Sequence, residues 1–255
     1  MKRVLAAAVA AAALATPTPA QAATPDPVKA LKSQFVPGHG VKVSELNRSM
    51  DKKKPTALRV TGAFEFGTSG VVASDVILRG SFLKPSEKIN FRAVTVGRKT
   101  YIQSEAFEKT LPEGKTWLRM GDASRASGTF HPLDIFRPAQ LKGLLSHAKS
   151  STGGLYQGTL TAKQTSKLSG LYFGPSVDYR LSVDSTGLPS RFFTGVKSSS
   201  SADTVDTRYS DWGHKVTIKA PPEELVASSE ELSDEAIDEM LEELQIIPNE
   251  ALAPR

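Results

Sequence analysis

From Val177 to Val183 every odd position is apolar and every even position polar, and this two-residue period returns along most of the chain. In an extended backbone successive side chains point to opposite faces, so the alternation specifies strands with one buried and one solvated face. Leu58, Val60, Phe64 and Phe66 repeat it against Arg59, Thr61 and Glu65. Further strands are expected over about 70–83, 89–97, 99–104, 115–120 and 155–164. Others run through Phe192 and Phe193 after a turn at Leu188–Pro189, over 205–212 and over 216–218. Gly, Pro and charged residues separate them at hairpin spacing, and Ser198–Ser201 reads as a hairpin tip. About nine or ten strands in an antiparallel meander with few helices place the chain in the α+β class.

Helical periodicity is confined to three places. Asp26 to about Met50 reads as a leading segment in which Val28, Leu31 and Phe35 share a short helix that Pro37-Gly38-His39-Gly40 stops. Over Pro132–His147, Leu133, Phe136, Leu141, Leu144 and Leu145 form an amphipathic set that Pro138 divides, a helix suited to covering something. Near the C-terminus Ser233 can cap a helix with Asp234 and Glu235 in its first turn, whose stripe is Ile237, Met240, Leu241 and Leu244. An isolated helix of that length is marginal in water. The alternatives for this tail are docking through its stripe or a disordered, solubilising role.

The first residues set the compartment. Lys2 and Arg3 precede an apolar stretch from Val4 to Ala15, then Pro17, Pro19 and Ala20-Gln21-Ala22, the order of a secretory signal peptide with an A-x-A cleavage site. The stretch is shorter than the roughly 20 residues needed to span a bilayer. The expected organisation is a signal peptide over 1–22, one domain over 23–226 and an acidic tail over 227–255. The expected location is extracytoplasmic, with no transmembrane segment. With 0 cysteines the chain has neither disulfides nor thiolate metal sites, so packing must stabilise it. The same absence removes the residue to which a lipid anchor would attach.

Charge is unevenly placed. From Pro222 onward Glu and Asp stand at eleven positions against Arg255 alone, although the whole chain is +5. The body is therefore strongly basic. It can meet an anionic envelope surface, while its own acidic tail offers a contact for the body or for a protein partner. Nucleic acid is not an expected partner of an exported chain without a motif of interleaved basic and aromatic residues.

Catalytic patterns are missing. His39, His131, His147 and His214 stand in separate segments, and no H-x-x-x-H or H-E-x-x-H spacing brings two onto one helical face. Neither a G-x-S-x-G elbow nor a phosphate-binding glycine loop is present. The S-x-x-K matches at Ser81–Lys84 and Ser146–Lys149 lack the partner motifs of that chemistry. The expectation is a non-enzyme without metal or cofactor.

Val96-Gly97-Arg98-Lys99-Thr100-Tyr101-Ile102, followed by Leu111-Pro112-Glu113-Gly114-Lys115-Thr116-Trp117, resembles the actinobacterial exported lipoproteins of the LppX/LprG type. Tyr209-Ser210-Asp211-Trp212-Gly213 before Ala220-Pro221-Pro222 adds to the resemblance, which covers about residues 56–226. The resemblance implies a strongly curved antiparallel sheet, a half-barrel like that of the LolA and LolB carriers. Helices would cross its open side over an apolar cavity for acylated lipid or another amphiphile. It further implies cavity-lining roles for Phe64, Phe66, Val76, Leu78, Phe91, Phe136, Leu141, Leu144, Leu145, Tyr179 and Leu181. The same positions serve equally as plain core, because periodicity does not separate a packed interior from a lined one. Two functions therefore stand side by side: a secreted carrier of lipid or amphiphile in the cell envelope, and an extracytoplasmic interaction or sensor module without a lipid ligand.

Overall fold

Asp26 opens the first element by accepting hydrogen bonds from the backbone N–H groups of Val28 (2.8 Å) and Lys29 (3.4 Å), and Pro27 starts helix α1, Pro27–Ser33. Capping by a side-chain carboxylate with proline in the first turn is how a short helix satisfies its leading donors. The computed structural model describes residues 25–50, 55–81, 89–105, 110–122, 129–171, 174–197, 202–228 and 232. The signal-peptide segment, the Ser198–Ser201 tip and the tail helix expected after Ser233 lie outside these residues.

After α1 come six strands: β1 His39–Ser49, β2 Thr56–Phe66, β3 Val71–Ser81, β4 Ile89–Val96, β5 Lys99–Ser104 and β6 Trp117–Asp122. Helix α2, Pro138–Ser146, leads to β7 Ser150–Thr152 and β8 Leu155–Leu160, and helix α3, Ala162–Ser169, to β9 Val177–Val183, β10 Pro189–Lys197, β11 Ala202–Lys215 and β12 Val226–Ser228. They form one 12-stranded sheet in the order β12-β6-β5-β4-β3-β2-β1-β11-β10-β9-β8-β7. Every pairing is antiparallel except that of β12 with β6. The architecture is α+β.

Five expectations are corrected. The leading segment contains β1, which pairs with both β2 and β11 and joins the two runs of the meander. Its alternation carries Val41 and Val43 inward and then Glu45, so a carboxylate interrupts the apolar set that would mark a strand. The strand expected over 155–164 ends at Leu160. Thr161 and Gln164 form a capping box there, and α3 runs to Gly170, which closes it at φ 77°. Residues 216–218 are no strand, although Val216 donates its N–H to the Gly38 carbonyl at 3.0 Å. The helix expected from Pro132 begins at Pro138, and Asp134 shapes the approach by accepting from the Phe136 N–H at 3.0 Å. With β1, β7 and β12 the strand count exceeds the expected nine or ten.

One face of the sheet carries the core. Direct cross-strand partners put Leu78, Val60, Glu45, Thr207, Phe192 and Leu181 in one transverse row. Leu31 of α1, Leu133, Ile135 and Phe136 of the approach, and Leu141 and Leu144 of α2 bury themselves against that face. On the opposite face Val94, Tyr101 and Trp117 form a smaller cluster beneath Ile218, Leu225 and Val226. The segment over 216–225 thus straps the outer side of the sheet and delivers β12 to β6, where the Thr116 N–H donates to the Leu225 carbonyl at 2.9 Å.

Candidate functional site

The inner face draws the residues singled out in the sequence into one apolar cluster. Phe64 and Phe66 come from β2, Val76 and Leu78 from β3, Phe91 from β4, and Tyr179 and Leu181 from β9. Phe136 lies before α2, Leu141 and Leu144 point down from it, and Leu145 packs half-buried at the margin. Positions more than a hundred residues apart in sequence meet because β11 pairs with β1, which sets the β2–β4 run beside the β9–β10 run. Tyr179 ties floor to cover: its hydroxyl donates to the Leu144 carbonyl of α2 at 2.7 Å. Burial pushes its pKa up to about 12, so this donor is protonated throughout the physiological range.

An aromatic group stands at one side of the cluster. Phe136 lies 5.4 Å from Phe64 and 5.5 Å from Tyr209, both edge to face, and 6.0 Å from Trp212. Trp212 stacks on Phe66 at 5.9 Å and donates its indole N–H to the Pro189 carbonyl at 2.9 Å. These centroid separations fall in the range where aromatic pairs add to simple area burial.

Within this apolar face sits a polar network that sequence reasoning missed. Glu45 (1% exposed), Thr207 (0%), His131 (3%) and Thr194 (1%) come from β1, β11, the approach to α2, and β10. The Thr207 hydroxyl donates to Glu45 Oε2 at 2.6 Å and stands 2.8 Å from His131 Nε2, while His131 Nδ1 is 2.9 Å from the Thr194 hydroxyl. The Phe130 N–H donates to the other carboxylate oxygen at 3.1 Å. With Thr207 giving its proton to Glu45, the ring nitrogen facing Thr207 is the donor. Burial raises the Glu45 pKa from its ordinary value to about 7, and the bonds from Thr207 and Phe130 oppose that rise. Tyr209 is pushed well above its ordinary value by burial and by the charges of Glu45 and Asp134. The network holds residues 130–131 to the floor beside Phe192, whose ring is 4.3 Å from that of His131. The one signal available in sequence was a glutamate in phase with Val41 and Val43.

Chemically the arrangement is a buried hydrogen-bonded network inside an apolar surround. Among the described residues no group of three or more His, Asp or Glu side chains is placed to hold a metal ion. No described helix is long and apolar enough to cross a membrane.

No protein-family description matches the chain, and neither does any curated protein. Solved structures do. The chain is similar to LprF from Mycobacterium bovis at 15% identity, over 77% of this chain and 93% of that one, with a TM-score of 0.44. The lipoprotein LppX from Mycobacterium tuberculosis matches at 12% identity over 76% and 96%, with a TM-score of 0.40. A LolA superfamily protein, NE2245 from Nitrosomonas europaea, matches at 12% identity over 77% and 93%, with a TM-score of 0.32. LppX and the LolA superfamily are also named in the resemblance read from the sequence.

Proposed function

We propose that the protein is an exported, non-catalytic carrier that takes the acyl chains of a lipid or another amphiphile between the inner face of its sheet and the cover formed by residues 130–136 and α2. In this reading residues 1–22 are a cleaved signal peptide, the sheet curves as a half-barrel, and Phe64, Phe66, Val76, Leu78, Phe91, Phe136, Leu141, Leu144, Leu145, Tyr179 and Leu181 face the ligand. The observation that supports it is the convergence of these side chains, from five separate elements that include α2, in one apolar cluster. Ligand sites of this kind are largely apolar, with few polar groups. The cover, a nine-residue helix and its approach, bonds to the floor through side chains, among them Tyr179, His131 and Glu45, and takes no part in the strand pairing. Such a cover can open without loss of the sheet.

The test is extraction of the protein, purified from the exported fraction, into organic solvent, with mass spectrometry of the extract and titration with a fluorescent fatty acid. Co-purifying acylated lipid and saturable uptake weakened by Leu144→Asp are expected. A lipid-free extract together with no uptake would remove the carrier and leave the interaction or sensor module.

A further inference from the structure

The outer face of the sheet sets arginines directly opposite one another. Arg59 of β2 is the direct cross-strand partner of Arg79 of β3, and Arg191 of β10 is that of Arg208 of β11. Like charges directly opposite one another destabilise a sheet. Arg48 of β1 and Arg180 of β9 point to the same side, all six are solvent-exposed, and Arg180 lies over the Phe193 ring at 5.1 Å.

Among the described residues, five acids on this side accept hydrogen bonds from other groups. Asp75 takes two bonds from Arg92, at 2.8 and 2.5 Å, and Asp206 takes two from Arg191, at 2.7 and 2.5 Å. Lys42 pairs with Asp211 at 2.7 Å. Asp178 accepts the Thr159 hydroxyl, and Glu65 accepts the Ile218 N–H, each at 2.7 Å. Among the described residues Arg48, Arg59 and Arg79 form no ion pair, and Arg208 borders an Asp206 that Arg191 already holds.

We propose that this face docks on an anionic lipid bilayer, with Arg48, Arg59, Arg79, Arg180 and Arg208 meeting headgroup phosphates. The arginines spread from β9 to β3, five strand spacings or roughly 24 Å. A broad field of that kind matches a surface bearing many phosphates better than a single small anion, which needs converging donors. The planar guanidinium bonds phosphate oxygens in pairs. The chain's own acidic tail is the rival occupant, and two observations disfavour it: Leu232 packs against the inner cluster, and the strap over 216–225 lies between β12 and the arginines on the outer side. The proposal stands apart from the carrier reading, since it uses the opposite face.

The test is co-sedimentation of the chain from Ala23 onward, which contains every described element, with phosphatidylcholine vesicles with and without phosphatidylglycerol. Binding is expected only with the anionic lipid, and high salt should abolish it. A juxtamembrane arginine contributes about a fivefold change in affinity, so combined Arg48→Ser, Arg59→Ser and Arg79→Ser should weaken binding on the order of a hundredfold. Fatty-acid uptake should be unchanged, and the melting temperature should not fall, because the substitutions relieve the repulsion between Arg59 and Arg79. Lysine at the same three positions should retain most of the binding. Absence of binding to anionic vesicles, or binding undiminished in the serine variant, would overturn the proposal. So would binding to soluble polyphosphate with none to vesicles. A chain that binds only after Glu235→Gln, Glu239→Gln and Glu242→Gln would assign the face to the tail instead.

Discussion

Glu45 and His131 face each other at 3.9 Å across the hydroxyl of Thr207, in a part of the core from which water is excluded. The pair joins the central strand β1 to the segment that leads into α2, so the strength of that junction depends on protonation.

The pH dependence of stability follows from its sign. Glu45 titrates near its ordinary 4.5 when unfolded and at about 7 when folded, so between those values the folded state binds more protons. Its contribution is fully present below pH 4.5 and is lost as pH rises through 7, on the order of 3 kcal/mol across the window. Asp206 and Asp211 act oppositely. Hydrogen bonds from Arg191 and Lys42 lower their pKa values, and the stability they add is lost as pH falls through those lowered values. Thermal melts from acid to pH 8 should show an acid limb and an alkaline limb. Glu45→Gln should flatten the alkaline limb and leave the acid one.

Thr207→Val keeps the volume of the side chain and removes the shared hydroxyl. The Glu45 carboxylate and the His131 ring each lose a partner in a buried site, a loss of about 1–3 kcal/mol. Thr207→Ser should recover most of it. Urea unfolding of the three proteins measures the difference.

Phe136→Ala removes the ring that Phe64, Tyr209 and Trp212 all touch. Truncation of a buried phenylalanine costs about 3–5 kcal/mol. Because Trp212 loses a neighbour, its fluorescence should shift to the red in the folded state, before any unfolding transition.

Tyr179→Phe deletes the bond from the sheet to the Leu144 carbonyl and little else. A global loss of roughly 1 kcal/mol is expected. If α2 is the cover of a ligand site, fatty-acid uptake should become faster in this variant while the strands keep their protection. Stopped-flow uptake and hydrogen exchange report the two effects separately.

Gly62→Ala tests the β2–β3 contact. A Cβ at this position would lie 2.0 Å from the Asp75 carbonyl oxygen and 2.8 Å from the Val76 Cα, both backbone atoms that cannot rotate away. The strands would have to part, and a loss of at least about 1–3 kcal/mol is expected in chemical denaturation.

Much of the fold was legible in the chain because a strand with one wet and one dry face writes its period into neighbouring residues. Val177–Val183 is β9 with its expected bounds, and Leu58, Val60, Phe64 and Phe66 are the inward positions of β2. Legibility fails where an inward position is polar or where an element is marked by one local signal. Glu45 hides β1, and the capping-box spacing of Thr161 and Gln164 is the mark of α3. The outward arginines were readable singly. That Arg59 faces Arg79, and Arg191 faces Arg208, depends on register.

The sequence alone determined which faces are apolar, that stability rests on packing without disulfides, and that basic body and acidic tail are segregated, since these depend on residue identity and short-range spacing. Tertiary structure decided that β11 pairs with β1, that Glu45 meets His131 through Thr207, and that the apolar residues of β2–β4 and β9–β10 share one surface with α2. The bonds of Thr207 to His131 and to Glu45 join positions 76 and 162 residues apart. Their formation depends on the three-dimensional closure of one run of the meander on the other, which no local period encodes.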